Sequence, residues 1–190
     1  MQSFSSSIAD WLVQSKIITK HDHDLFDYAV YSLLWGLTPV LLALILGLLS
    51  GMLYESIFLI TPIILLRKFS GGYHLESAKH CMILSTTILA LALGAVRIIT
   101  IIKCNELLTI MVFFAIISIC FNSPIDSDAR RLTKKEKVIF KKLARIVSIF
   151  TLLIYTFLLM SGWSTSCSAW GVGIVVVALL QVPSICAKIA

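Results

Sequence analysis

At 190 residues the chain has the length of one soluble domain, yet 58% of it is hydrophobic and only 14% charged, against roughly 45–50% and 25% in soluble proteins. The apolar residues gather into blocks too long for a soluble core to hide, which excludes an ordinary water-soluble fold. The formal charge of +6 comes with no nucleic-acid-binding motif, and its basic residues sit in the gaps between apolar blocks, where membrane topology accounts for them.

The first 24 residues are polar and amphipathic, without the basic start and short apolar core of a cleavable signal peptide. Phe4, Ile8, Trp11 and Leu12 fall at helical spacing, which predicts an interfacial helix lying on the lipid bilayer. Thr19–Lys20–His21–Asp22 has the S/T-x-x-D form of a helix start. The run His21, Asp22, His23, Asp24 is read as a solvated first turn with acids near the helix N-terminus rather than as a metal site.

From Leu33 to Leu66 the chain is apolar, with Glu55 its single charge. As one helix this run would extend about 51 Å, too long for a hydrocarbon core of about 30 Å. Ser50 and Gly51 are therefore expected to divide it into two antiparallel spans, kinked at Pro39 and Pro62. After a polar stretch from Arg67 to His80, a third span is expected over Met82 to Ile102 and a turn over Lys103 to Glu106. A fourth span follows over Leu107 to Phe121, then a basic segment from Asn122 to Arg145. A fifth span is expected over Ile146 to Gly162, a serine- and tryptophan-rich loop over Trp163 to Trp170, and a sixth span from Gly171 to Ala187.

The fold class is thus all-α: a polytopic membrane protein of six transmembrane helices plus an N-terminal amphipathic interfacial helix, forming one integral membrane domain over 1–190. Its parts are the interfacial segment 1–24, four spans within 25–121, the basic segment 122–145 and two spans within 146–190. Six spans place both termini on one side. With that side cytoplasmic, 14 of the 16 basic residues are cytoplasmic, and only Arg97 and Lys103 lie toward the outside. Small residues at Ala90, Ala92, Gly94 and Ala95 suit close helix packing within the chain or in a homodimer.

Five scattered cysteines without CxxC spacing imply neither a disulfide framework nor a zinc site. The stretch from Arg67 to Cys81, RKFSGGYHLESAKHC, carries the chemistry. It places His74 and Cys81 in a compartment that keeps thiols reduced, and a cysteine peptidase needs a thiolate with an imidazole in reach. On a straight helix residues seven apart would be roughly 10.5 Å apart along the axis, beyond the 2.6–3.2 Å or so of a hydrogen bond. Gly71–Gly72 lets the chain turn back and bring the two together, and its bare N–H groups suit an oxyanion or an extended substrate. The third-span helix is expected to begin near Cys81. Other readings stay open on the residues alone: His80 as base, a metal held by His74, Glu76, His80 and Cys81, and Arg67 and Lys68 as topology signals, with Arg67 also suited to a substrate carboxylate.

The pattern Arg67–x6–His74–x6–Cys81, with Gly72 two residues before the histidine, resembles the accessory gene regulator protein B (AgrB) family. Chain length, six spans, the amphipathic N-terminus and Pro124–Ile125 at the start of the basic segment extend that resemblance over nearly the whole chain. It implies a multi-pass protein of the bacterial cell membrane, with no cofactor, that acts as an endopeptidase on a quorum-sensing propeptide. It also implies that Cys81 is the nucleophile and His74 its base; no third catalytic residue follows, although Glu76, Asp126 and Asp128 lie on the correct side. The basic run from Arg130 to Arg145 suits an anchor on anionic lipid or a dock for an acidic propeptide tail. The alternative from another class is a peptide transporter, with Pro39, Pro62 and the short second and fourth spans marking broken helices; a metalloprotease would need a motif such as HExxH, which the sequence lacks.

Overall fold

A chain in lipid must close its backbone hydrogen bonds internally, and helices do so within each segment. The computed structural model describes residues 2–71, 78–125 and 133–189 and is 89% helical, with no strand among the described residues. The protein is an all-α polytopic membrane protein. It divides into two compact units, 1–42 and 43–190.

The first unit holds α1 (Gln2–Gln14), a 3-10 helix (Lys20–Asp22) and the first part of α2 (His23–Leu49). Along α1 the small residues Ser5 and Ala9 are buried while Phe4 and Trp11 are 59% and 60% exposed. Its large apolar groups therefore face outward, as an interfacial helix requires. Polar side chains tie α1 to the start of α2. Ser6 Oγ donates to Asp27 Oδ2 at 3.2 Å, and the two ring nitrogens of His23 lie 3.1 Å from Asp10 Oδ1 and 3.1 Å from Asp24 Oδ1. Two carboxylates facing both nitrogens are satisfied together only by the doubly protonated imidazolium. The histidine–aspartate run is accordingly an ion-paired helix start. Thr19 precedes the 3-10 turn as expected, its hydroxyl donating to Asp22 Oδ2 at 2.6 Å.

The second unit contains α3 (Leu53–Ser70), α4 (Ala78–Ile102), α5 (Asn105–Asn122), α6 (Lys134–Met160) and α7 (Ser164–Ile189). The expected break falls at Ser50–Met52, where Gly51 adopts φ +69. Helix α7 lies at the centre, packing on α3, α4, α5 and α6, and 67% of its most apolar stretch is buried. Its glycines explain the close fit. A Cβ on Gly173 would come within 2.7 Å of Pro62 Cγ, and one on Gly171 within 2.8 Å of the Tyr155 ring. Around this axis Trp170 Nε1 donates to Thr151 O at 3.0 Å, and the hydroxyls of Thr109 and Tyr155 meet at 2.9 Å.

Five helices, α2, α4, α5, α6 and α7, are long and apolar enough to cross a membrane. The second of the six expected spans, α3, is the exception in composition: Glu55, Arg67 and Lys68 fall within its 18 residues. It is also well packed, burying Leu59, Ile60, Pro62, Ile63 and Leu66.

Three boundaries differ from expectation. No loop spans Trp163 to Trp170; α7 begins at Ser164, so the sixth helix starts seven residues before Gly171. Polar partners hold that early turn. Asn105 Nδ2 donates to Ser164 Oγ at 3.4 Å, while Ser168 Oγ lies 3.3 Å from Asn105 Oδ1 and 2.9 Å from Ser164 O. Helix α6 reaches back to Lys134 because Thr133 and Glu136 form a capping box, making the later part of the basic segment helical. Helix α4 begins at Ala78, three residues before Cys81.

Candidate functional site

The candidate site lies where α3 ends and α4 begins. Helix α3 stops at Gly71, whose φ of +72 and ψ of −161 belong to a region that essentially only glycine enters. Its N–H still donates to Arg67 O at 3.2 Å, closing the last turn. The chain leaving α5 runs alongside: Ser123–Pro124 is a cis peptide, and Ile125 N–H donates to Ser70 O at 3.0 Å, pairing Gly71 with Ile125 in an isolated parallel bridge. The approach is so close that a Cβ on Gly71 would collide with the Ile125 carbonyl oxygen. Ser70, Ser123 and Ile125 are all buried at this junction.

Two further helices brace it. From α7, the fully buried Gln181 donates through Nε2 to Ser123 Oγ at 3.2 Å, while its Oε1 has no partner among the described residues. A buried unpaired carbonyl carries a desolvation cost of about 1–3 kcal/mol. From α6, Phe140 sets its ring 6.4 Å from that of Phe69. The segments leaving α3 and α5 thus start from one braced point.

Cys81 sits half-buried in the first turn of α4, with His80 beside it exposed. Arg67 is half-buried in the last turn of α3, beyond the apolar run that ends at Leu66. Burial draws its guanidinium below the ordinary range, and the Cys81 sulfur, near enough to act through its charge, opposes that shift. Lys68, next in sequence, is exposed and extends over the Phe69 ring at 5.8 Å.

Of the residues singled out in the sequence, Arg67, Gly71 and Cys81 are at this end of the bundle. His74 and Gly72 lie outside the described residues, as do Glu76, Asp126 and Asp128, so neither the His74–Cys81 pair nor the metal grouping around it is described. The small residues of α4 divide: Ala92 is buried, whereas Ala90 and Gly94 face outward. Sequence reasoning gave Ser123 and Gln181 no role. The available signal was Gln181 itself, an amide in an otherwise apolar run from Val172 to Pro183.

The family model described as accessory gene regulator B matches residues 5–184. An AgrB-like protein 2 of Clostridium perfringens strain 13 is 26% identical over 80% of this chain and 78% of its own length. An AgrB-like protein of C. perfringens strain SM101 is 27% identical over 77% and 72%, and AgrB-like protein 1 of strain 13 is 22% identical over 90% of each chain. No solved structure matches.

Proposed function

The chain belongs to the accessory gene regulator B family, whose part is in quorum-sensing peptide processing, and on that premise we propose that it is a membrane-embedded cysteine endopeptidase acting on the C-terminal tail of a propeptide. The observation that carries the reading is Cys81 in the first turn of α4, at the end of the bundle where Arg67 and Gly71 close α3. A cysteine, a guanidinium and a glycine turn at one end of the bundle are groups that acyl transfer can use. Both termini and the 67–81 loop are cytoplasmic in this reading.

The chemistry follows from those groups. The Cys81 thiolate adds to the carbonyl carbon at the scissile peptide, and the charge passes from sulfur to oxygen beside Arg67. As the C–N bond breaks, the imidazolium of His74 gives its proton to the departing amine. The tail leaves, and the remaining peptide is held on Cys81 as a thioester. A thiol or hydroxyl of the same peptide then attacks that carbonyl, passing its proton to the now neutral His74, and Cys81 departs as thiolate, closing a thiolactone or lactone ring. Thioester and thiolactone are bonds of one kind, so this exchange conserves the activation gained in the first step. Limited water at the membrane site protects the thioester from hydrolysis.

The test is mass spectrometry of a candidate propeptide co-expressed with wild-type protein, Cys81→Ala or His74→Ala at matched membrane levels. The shortened species is expected with wild type and absent with both variants, with a covalent adduct trapped at Cys81. Unchanged processing by Cys81→Ala would overturn the peptidase reading and bring forward peptide transport.

A further inference from the structure

The turn between α1 and α2 encloses a feature that the peptidase reading does not use. An open depression of about 560 Å³ lies there, lined by Val13, Ile17 and Phe26 together with Lys16, Lys20 and Asp22. Lys16 adopts φ 55, turning the chain after α1. Among the described residues, neither lysine has a carboxylate within 4.0 Å. Asp22, the acid in the lining, is engaged by the Thr19 hydroxyl at 2.6 Å and flanked by His21 at 3.8 Å.

Two unmatched ammonium groups among apolar side chains call for an anion with a hydrocarbon attachment. The position says where one is found. The helix that carries the first candidate span begins at Lys20, so the depression lies on the N-terminal, polar side of that span's apolar stretch. Nearby, α1 turns Trp11 outward and Ile17 is 63% exposed, as suits a headgroup-level belt. We propose that this depression binds the headgroup of an anionic phospholipid, with the phosphate between Lys16 and Lys20 and the start of an acyl chain against Ile17 and Phe26. Its volume lies in the range of about 300–1,000 Å³ typical of small-ligand sites.

The full chain, purified in neutral detergent, would be titrated by native mass spectrometry with phosphatidylglycerol or phosphatidylcholine, with and without inorganic phosphate. Wild type is expected to retain one phosphatidylglycerol, with a preference over phosphatidylcholine of about 30-fold, the effect of two lysines at an anionic surface. The double variant Lys16→Gln/Lys20→Gln should lose that preference, and Lys16→Arg/Lys20→Arg should keep it, which separates lost charge from lost fold. Neutralising Lys103, exposed in the turn after α4, should leave it unchanged. Equal binding of the two lipids, an unaffected Gln variant, or the same loss from Lys103→Gln would overturn the proposal. Displacement of the lipid by millimolar inorganic phosphate would assign the site to free phosphate and overturn the lipid assignment.

Discussion

Gly71→Ala should open the junction at which the α3 and α5 exits meet. Two costs add at this position. At φ +72 and ψ −161 a residue with a Cβ is strained by about 1–3 kcal/mol. The new methyl would also collide with the Ile125 carbonyl oxygen, and moving that strand away forfeits the 3.0 Å bond from Ile125 N–H to Ser70 O, worth about 1 kcal/mol. The sum is about 3 kcal/mol, a shift on the order of a hundredfold toward the open junction. Gly94→Ala is the matched control, because Gly94 is helical and its added Cβ meets nothing within 4 Å. Alanine there should be neutral or stabilise by about 0.5–1 kcal/mol. Hydrogen exchange at the Ile125 amide, followed by mass spectrometry, reads the opening directly, and propeptide processing reads its effect on the site. If Gly71→Ala kept the exchange protection and processing of Gly94→Ala, the idea that this close approach sets the site would be wrong.

Gly173→Val should weaken the fit of α7 on α3 by about 1–3 kcal/mol, because its side chain must displace the Pro62 ring; a lower thermal midpoint in detergent checks this. Thr133→Ala removes the capping box at the start of α6 and should cost about 1 kcal/mol, seen as faster amide exchange over the first turn with little change elsewhere. Gln181→Met loses the bond to Ser123 but also removes an unpartnered buried oxygen. Its net effect on stability should therefore stay within about 1 kcal/mol, and a loss well above that, measured by denaturation, would refute this balance of terms.

Much of the helical framework was legible in the sequence because hydrophobic length, the Ser50–Gly51 break and the basic gaps are local signals. The misread parts depend on partners far along the chain. Trp163 to Trp170 reads as a loop by composition, but Asn105 on α5 takes up the serine hydroxyls and Thr151 accepts the Trp170 indole, so a helix persists there. The basic segment looked uniformly hydrophilic, yet Thr133 and Glu136 start a helix within it; that capping box could have been read. At the candidate site, Gly71 ends α3 with a positive φ, while Gly72 and the turn back toward Cys81 lie outside the described residues. Nothing local revealed that Gly71 closes against Ile125 or that Gln181 braces Ser123, since these contacts join segments from three different helices.

The central place of α7 bears on how the protein is assembled. Of the helices after Ser50, α3 is made first, yet it is the one whose charges make it a poor span on its own. Its main neighbour is α7, synthesised after α4, α5 and α6. Until α7 arrives, the face of α3 that receives Gly173 has lipid or another helix in place of its partner. Assembly therefore runs against synthesis order: α7 works as a keystone, and α3 gains its main partner only after α4, α5 and α6 have been made.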